Sequence, residues 1–234
     1  MENYKYYNIF SPEGHLLQIE YALEAVNNEL PIVIIRSKTK IAFASRRRRY
    51  DSLQIPHSKC IKSIGPGVYL AITGRRGDID QVVYKAISMC SDKSYVLGFD
   101  VTPDILCRSF ADKIQKLTQK TGIRPEAFCG TFFGFDGDSP MLYYTDTSAM
   151  CYPYYGIAMG EQAIKMNKYL EKVYREDISD DELYEILLET LGQSIGHDFN
   201  IGDVDVGCLE KESGLRWLDE TEIDRILVRI SEKD

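Results

Sequence analysis

The stretch Ile9-Phe10-Ser11-Pro12-Glu13-Gly14-His15-Leu16-Leu17-Gln18-Ile19-Glu20-Tyr21-Ala22 holds a turn followed at once by a helix. Ser11-Pro12-Glu13-Gly14 puts proline second and glycine fourth, the placement a β-turn favours. From Leu16 to Asn28 the apolar residues then recur at helical spacing. At about 100° per residue, Glu20, Glu24, Asn27 and Asn28 share one polar face of roughly 100°. Leu16, Ile19, Tyr21, Ala22, Leu23, Ala25 and Val26 cover roughly 220°, interrupted only by Gln18. An arc this wide is either surrounded by its own domain or shared with a partner chain, and the pattern alone admits both. Ile19 and Leu23 are the candidate intersubunit contacts.

Beyond this helix the chain reads as strands. Pro31–Arg36, Ile41–Ala44 and Val68–Ile72 are short apolar runs between turn residues, and Gly65-Pro66-Gly67 is a turn between strands. The runs are nearly continuous rather than alternating, as in sheets covered on both faces. Two helices follow. Asp78 is placed to cap the first, which carries Ile79, Val82, Val83 and Ala86. Thr102-Pro103 opens the second, with Leu106, Phe110, Ile114 and Leu117 on one face and Gly122 at its end. Strands are expected again at Phe128–Phe135, Met141–Thr145 and Met150–Tyr155.

Helices then run through Ala163, Met166, Leu170 and Val173, and from the capping box Ser179-x-x-Glu182. Strands near Asp203–Leu209 and Leu215–Trp217 precede a last helix, capped by Asp219-x-x-Glu222. Blocks of strands alternating with blocks of helices indicate a layered α+β fold. No linker or repeat interrupts residues 1–234, so one domain is expected, with a tail at 1–15 and a first helix at 16–28.

Composition narrows the function. The 234 residues include 28 Lys+Arg and 36 Asp+Glu, a net charge of −8. That balance argues against a general nucleic-acid binder. The longest apolar runs, such as Ile32–Ile35, are too short for a membrane span. The first residues lack the basic start and apolar stretch of a signal peptide. The six cysteines form no CxxC pair, and several sit in apolar patterns, so reduced, buried thiols are expected. The three histidines have no metal-ligand spacing. No cofactor or metal is implied. The basic run Arg46-Arg47-Arg48-Arg49 reads as a solvated turn, a contact with a neighbour, or a nuclear-import or nucleic-acid patch.

The segment Ile9–Ala22 closely resembles the N-terminal signature of proteasome alpha subunits, F-S-P-(E/D)-G-R-L-x-Q-(V/I)-E-Y-A, with His15 standing where the family usually has arginine. Gly74 and Arg124-Pro125 also match family positions. Asp146 falls on the family's D-P-(A/S)-G, with Thr147-Ser148-Ala149 in place of the last three. Leu106-Cys107-Arg108, Ala111-Asp112, Asp205-Val206-Gly207 and the ending Thr221–Asp234 are most like alpha type-6, the first position of the eukaryotic ring.

The resemblance implies a four-layer αββα sandwich of the Ntn-hydrolase type, two antiparallel sheets flanked by helices. It implies a non-catalytic subunit of a threonine-protease complex, the 20S core particle. Such a subunit builds the outer heptameric ring and serves the entry gate and activator docking in ubiquitin-dependent degradation. Its partners would be neighbouring alpha subunits, beta-ring subunits, and the regulatory particle or other activators, in cytoplasm and nucleus. Catalysis in the beta relatives uses an N-terminal threonine whose own amine activates its hydroxyl. The equivalent position here is near Leu30-Pro31, and Gly130-Thr131 reads as an ordinary strand.

A self-standing Ntn-type hydrolase is the alternative, and a new N-terminus at Thr, Ser or Cys would mark it. The family's Tyr-Asp-Arg gating triplet falls on Asn3-Tyr4-Lys5, with only the positive charge kept at Lys5 and two residues ahead of it, so weak gating by this tail is expected. Pro12 and Tyr21 match positions that support the tail turn. An activator-pocket lysine falls at Cys60, flanked by Lys59 and Lys62.

Overall fold

Ile32, Val33, Ile34 and Ile35 are all fully buried, and they alternate between two cores. Successive side chains of a strand point to opposite faces, so a run without polar residues needs cover on both sides. The computed structural model, which describes residues 10–47, 53, 60–120, 122–196 and 199–232, supplies that cover.

The chain runs α1 (Leu17–Val26), β1 (Ile32–Arg36), β2 (Lys40–Arg46), β3 (Ile61–Gly65), β4 (Val68–Gly74), α2 (Arg76–Leu97), α3 (Pro103–Thr118) and β5 (Phe128–Asp136). It continues through β6 (Ser139–Asp146), β7 (Tyr152–Pro153), β8 (Gly156–Met159), α4 (Ala163–Val173), α5 (Asp180–Ile195), β9 (Val204–Glu210), β10 (Gly214–Trp217) and α6 (Glu220–Ser231). One sheet has the order β10-β9-β2-β1-β8 and the other β3-β4-β5-β6-β7. Every pairing is antiparallel.

Three apolar cores separate four layers. Val33 and Ile35 of β1 pack with Leu187 and Leu191 of α5 and Ile223 of α6. Ile32, Ile34 and Phe43 meet Ala71, Phe133 and Leu142 between the two sheets. Leu70, Ile72, Phe128 and Phe132 turn the other way, onto Val82 of α2 and Leu106 and Phe110 of α3. The result is the four-layer αββα sandwich of the Ntn type.

Local chemistry sets several ends. Ser179 and Asp219 each accept the backbone N–H of the glutamate three residues on, whose carboxylate answers the cap N–H. The turn at Gly65-Pro66-Gly67 joins β3 to β4 as expected.

Other expectations are corrected. The first helix spans 17–26 rather than 16–28, and its end is closed by Asn28, whose side-chain amide donates to the Glu24 carbonyl at 3.1 Å. Asp78 does not cap α2. The helix begins two residues earlier, and Asp78 sits buried in its first turn. Thr102 holds the N-cap position of α3, but its hydroxyl turns to the Asp104 carboxylate. That helix ends at Thr118, before Gly122.

Of the strand expected at 150–155 only the two-residue β7 forms, and a further strand, β8, which the sequence reading did not anticipate, follows it. Asp146 accepts from the amide and hydroxyl of Ser148, at 2.8 and 2.6 Å, and Ala149 takes φ +67°. This tight turn delays the return of the chain. β8 then leaves sheet two for the edge of sheet one, beside β1.

Candidate functional site

The N-terminal turn has the geometry its residues demand. The Gly14 amide donates to the Ser11 carbonyl at 2.9 Å, and the Ser11 amide donates to the His15 carbonyl at 2.8 Å. Gly14 has φ +87°, a backbone region that glycine enters without strain. Pro12 is exposed on the turn. His15, the departure from the signature, places Nδ1 2.7 Å from Glu20 Oε1, so the imidazole has a partner one helical turn on. Both side chains are about half exposed, and such a contact contributes little to stability.

α1 lies along the core between the sheets, against β4 and β5. Its buried residues are Ile19, Ala22 and Val26, spaced i, i+3, i+7; Ala22 and Val26 join that core, with Ala25 packed beside them. Of the rest of the apolar arc, Leu16, Leu23 and Ala25 are half-buried and Tyr21 is exposed. Ile19 is only 5% exposed, so its own chain covers nearly all of it. Leu23 is half-buried, beside a groove of about 270 Å³ lined by Val26, Asn27, Tyr144, Met150 and Tyr154. Tyr21, 52% exposed, stands on the outer face.

The peptide after α1 is tied down on three sides. The Leu30 carbonyl accepts the Thr73 hydroxyl at 2.8 Å. The Glu29 carbonyl accepts the Glu161 amide at 2.8 Å, and the Pro31 carbonyl accepts the Arg46 amide at 3.2 Å. Gly160 lets the lead-in to α4 come this close. A Cβ there would lie 2.3 Å from the Leu30 oxygen, and its φ is +84°. An interior peptide, bonded through its Glu29, Leu30 and Pro31 carbonyls, thus stands at the position that the family resemblance makes equivalent to the N-terminal threonine of the beta relatives.

Nearby hydroxyls and thiols are poor nucleophiles. Thr131 is fully buried in β5, with its hydroxyl 3.5 Å from the Met159 sulfur. Burial pushes the Cys129 thiol well above the usual range, and the neighbouring Asp146 adds to it. Burial also raises the Cys60 thiol, which faces the Ser45 hydroxyl. All six cysteines are free thiols, four of them buried.

The cationic candidates divide. Tyr4, Lys5 and Lys59 lie outside the described residues, as do Arg48 and Arg49. Arg47 donates from both Nε and Nη2 to Asp205, at 3.2 and 2.6 Å, and Arg46 lies 3.7 Å from Glu161. The first half of the basic run therefore ties the end of β2 to β9 and the α4 lead-in. Lys62 is half-buried on β3. Burial, then the like charge of Arg76, holds its ammonium below the ordinary lysine range.

A second polar centre supports the site from behind, and sequence reading does not find it. Arg124 forms a two-pronged pair with Asp78, which also accepts the Ala127 amide at 2.9 Å. Next to it Gly74, at φ +147°, leaves no room for a Cβ, which would lie 2.3 Å from the Ala127 oxygen. In the sequence, Arg124 and Gly74 stand out only as matches to family positions. A buried acidic residue in an apolar helix pattern is the one signal pointing to a pair. Among the described residues no helix is long and apolar enough to cross a membrane.

Comparison with known proteins agrees with this architecture. Residues 27–209 match the family described as Proteasome subunit, and residues 6–25 match the N-terminal signature of A-type proteasome subunits. The chain is 32% identical to the proteasome alpha type-7-B subunit of Arabidopsis thaliana over 226 residues, 95% of this chain and 89% of the relative. It is 29% identical to the proteasome alpha subunit of Saccharolobus solfataricus over 210 residues, 88% of this chain and 87% of the relative. It is 29% identical to the proteasome alpha type-7 subunit of Dictyostelium discoideum over 223 residues, 94% and 87% of the two chains.

Proposed function

The chain belongs to the proteasome subunit family, in its alpha branch, and from that premise we propose how it serves the outer ring. It is a non-catalytic subunit of the core particle. The observation that carries this is the bonded peptide at Glu29–Pro31, held by Thr73, Arg46 and Glu161 and preceded by α1. A nucleophile that uses its own free amine has no place there. Hydrolysis by the particle as a whole belongs to the threonine-protease subunits of the inner rings.

In this reading α1 meets neighbouring alpha subunits through the exposed Tyr21 and the half-buried Leu23. The turn at Ser11–His15 directs the preceding tail toward the substrate-entry gate. Lys62, with Arg76 close by, offers positive charge to the C-terminal carboxylate of an activator. Contacts with beta-ring subunits and the regulatory particle, and work in cytoplasm and nucleus, follow from the same role.

The relatives do not single out alpha type-6. The eukaryotic ones bear type-7 names, and at 32% and 29% identity the chain stands about equally far from a plant type-7 relative and from an archaeal alpha subunit. Our reading is therefore of the alpha ring and not of one position in it.

A peptidase assay on the purified chain tests the non-catalytic role. Fluorogenic peptides should give no turnover above buffer. Turnover abolished by replacing one hydroxyl or thiol of this chain would overturn the reading.

A further inference from the structure

Arg36 ends β1 with a charge that no neighbouring carboxylate neutralises. Among the described arginines only Arg36 and Arg47 are not exposed. Arg47 is gripped by Asp205 through both Nε and Nη2. Arg36 makes no ion pair among the described residues. Its Nη1 donates to the Pro140 carbonyl, and its guanidinium lies over the Tyr155 ring, 4.8 Å from the centroid. Its Nε is buried and has no hydrogen-bond partner among the described residues. A half-buried guanidinium without an anion is unfavourable, because it has lost water and gained no opposite charge in return.

Arg36 lines a cavity of about 170 Å³. The cavity lies away from the Leu30 peptide, because β1 rises about 3.3 Å per residue and carries Arg36 roughly 13 Å beyond Ile32. Ser139, Tyr155 and Tyr174 form further walls, with Lys38 and Glu176 among the lining. Ser139 and Tyr155 are exposed, and their hydroxyls make no hydrogen bond among the described residues. The Tyr174 hydroxyl is engaged, donating to the Arg36 carbonyl at 3.1 Å, and its ring stands 5.6 Å from that of Tyr155. Lys38 adds positive charge, shared with Asp177. Glu176 is the one carboxylate among the described lining residues, and it is exposed.

We propose that this cavity binds a phosphate group, free or carried on a small ester, through the Arg36 guanidinium and the Ser139 and Tyr155 hydroxyls. The guanidinium fork fits two oxygens of an oxyanion. A carboxylate has no further oxygen to offer, whereas a phosphate keeps others for the hydroxyls on the remaining walls. The paired rings of Tyr155 and Tyr174 give the carbon part of an ester an aromatic surface. Glu176 opposes the anion from the rim. This binding site goes beyond the ring role and does not depend on it.

The test is calorimetric titration of the purified full chain at constant ionic strength with inorganic phosphate and with phenyl phosphate, and with acetate as the control. One equivalent of phosphate or phenyl phosphate should bind per chain, and the tighter of the two names the source, free ion or ester. Arg36→Gln should weaken binding about tenfold or more. Arg36→Lys should restore part of it, because an ammonium keeps the charge and loses the fork. Glu176→Gln, at an exposed position outside the core, should tighten binding about two- to fivefold by removing the opposing charge. That variant keeps the proposal testable if loss of the Arg36–Pro140 bond unfolds the chain. The proposal is overturned if neither phosphate compound binds, if acetate binds as tightly, or if folded Arg36→Gln or Glu176→Gln leaves the affinity unchanged.

Discussion

Arg124 grips Asp78 with both terminal nitrogens, Nη1 to Oδ2 at 2.7 Å and Nη2 to Oδ1 at 2.6 Å. The pair joins the first turn of α2 to the segment that leads into β5. Asp78 also takes the buried Ala127 amide, so one carboxylate fixes the entry to the sheet beside the Leu30 site. It is the polar counterpart of the close approach at Gly74.

Replacing Asp78 with Ala should destabilise the chain by about 2–3 kcal/mol, because it strands a buried amide and removes a two-pronged ion pair. The Arg124 hydrogen bond, first among the causes, holds the Asp78 carboxyl below its ordinary range. Its stabilisation is therefore fully present above the unfolded carboxyl pKa of roughly 3.9, and it fades as pH falls through the lower folded value. Urea melts should show a constant gap between wild type and Asp78→Asn at neutral pH and a shrinking gap in acid. A gap that grows in acid would contradict the pairing.

Ala149 has φ +67° at the place where the family's motif ends in glycine. A left-handed alanine costs about 1–2 kcal/mol, partly offset by the chain entropy a glycine adds when unfolded. Ala149→Gly should raise stability by about 1 kcal/mol, read as a rise of roughly 2–4 °C in Tm. A fall in Tm would mean that the methyl packs favourably.

Gly160→Ala should have a large opposite effect. The new Cβ would meet the Leu30 oxygen at 2.3 Å, and backbone must move to relieve it. A loss of more than about 2 kcal/mol is expected. Thermal melts of the variant check this, and near-wild-type stability would show that the α4 lead-in is not held against Leu30.

On α1 the two candidate positions separate. Ile19→Asp should lower the stability of the isolated chain by several kcal/mol, since it buries an unpaired charge. Tyr21→Asp and Leu23→Asp should leave the fold nearer to wild type and instead reduce incorporation into particles, as seen on native gels. Normal incorporation of both would contradict an intersubunit role for this face.

The layered fold was legible because its strands are short apolar runs and two of its helices carry reciprocal caps at Ser179 and Asp219. The turn at Ser11–Gly14 was legible because proline and glycine fix backbone angles locally. What escaped was decided at a distance. Asp78 reads as a helix cap until Arg124 is placed beside it, 46 residues along the chain. The shortening of 150–155 to β7, and the separate strand β8 beside β1, depend on which sheet edge is free. The wide arc on α1 does not tell which of its residues turn inward: Ile19 is buried while Tyr21 is exposed.

Native mass spectrometry of particles captured on a tagged copy of this chain tests the central claim most directly. The account predicts the chain within a stacked-ring assembly that also contains other proteasome alpha and beta subunits. Recovery of the chain alone at 26.8 kDa, or only with copies of itself, would contradict it.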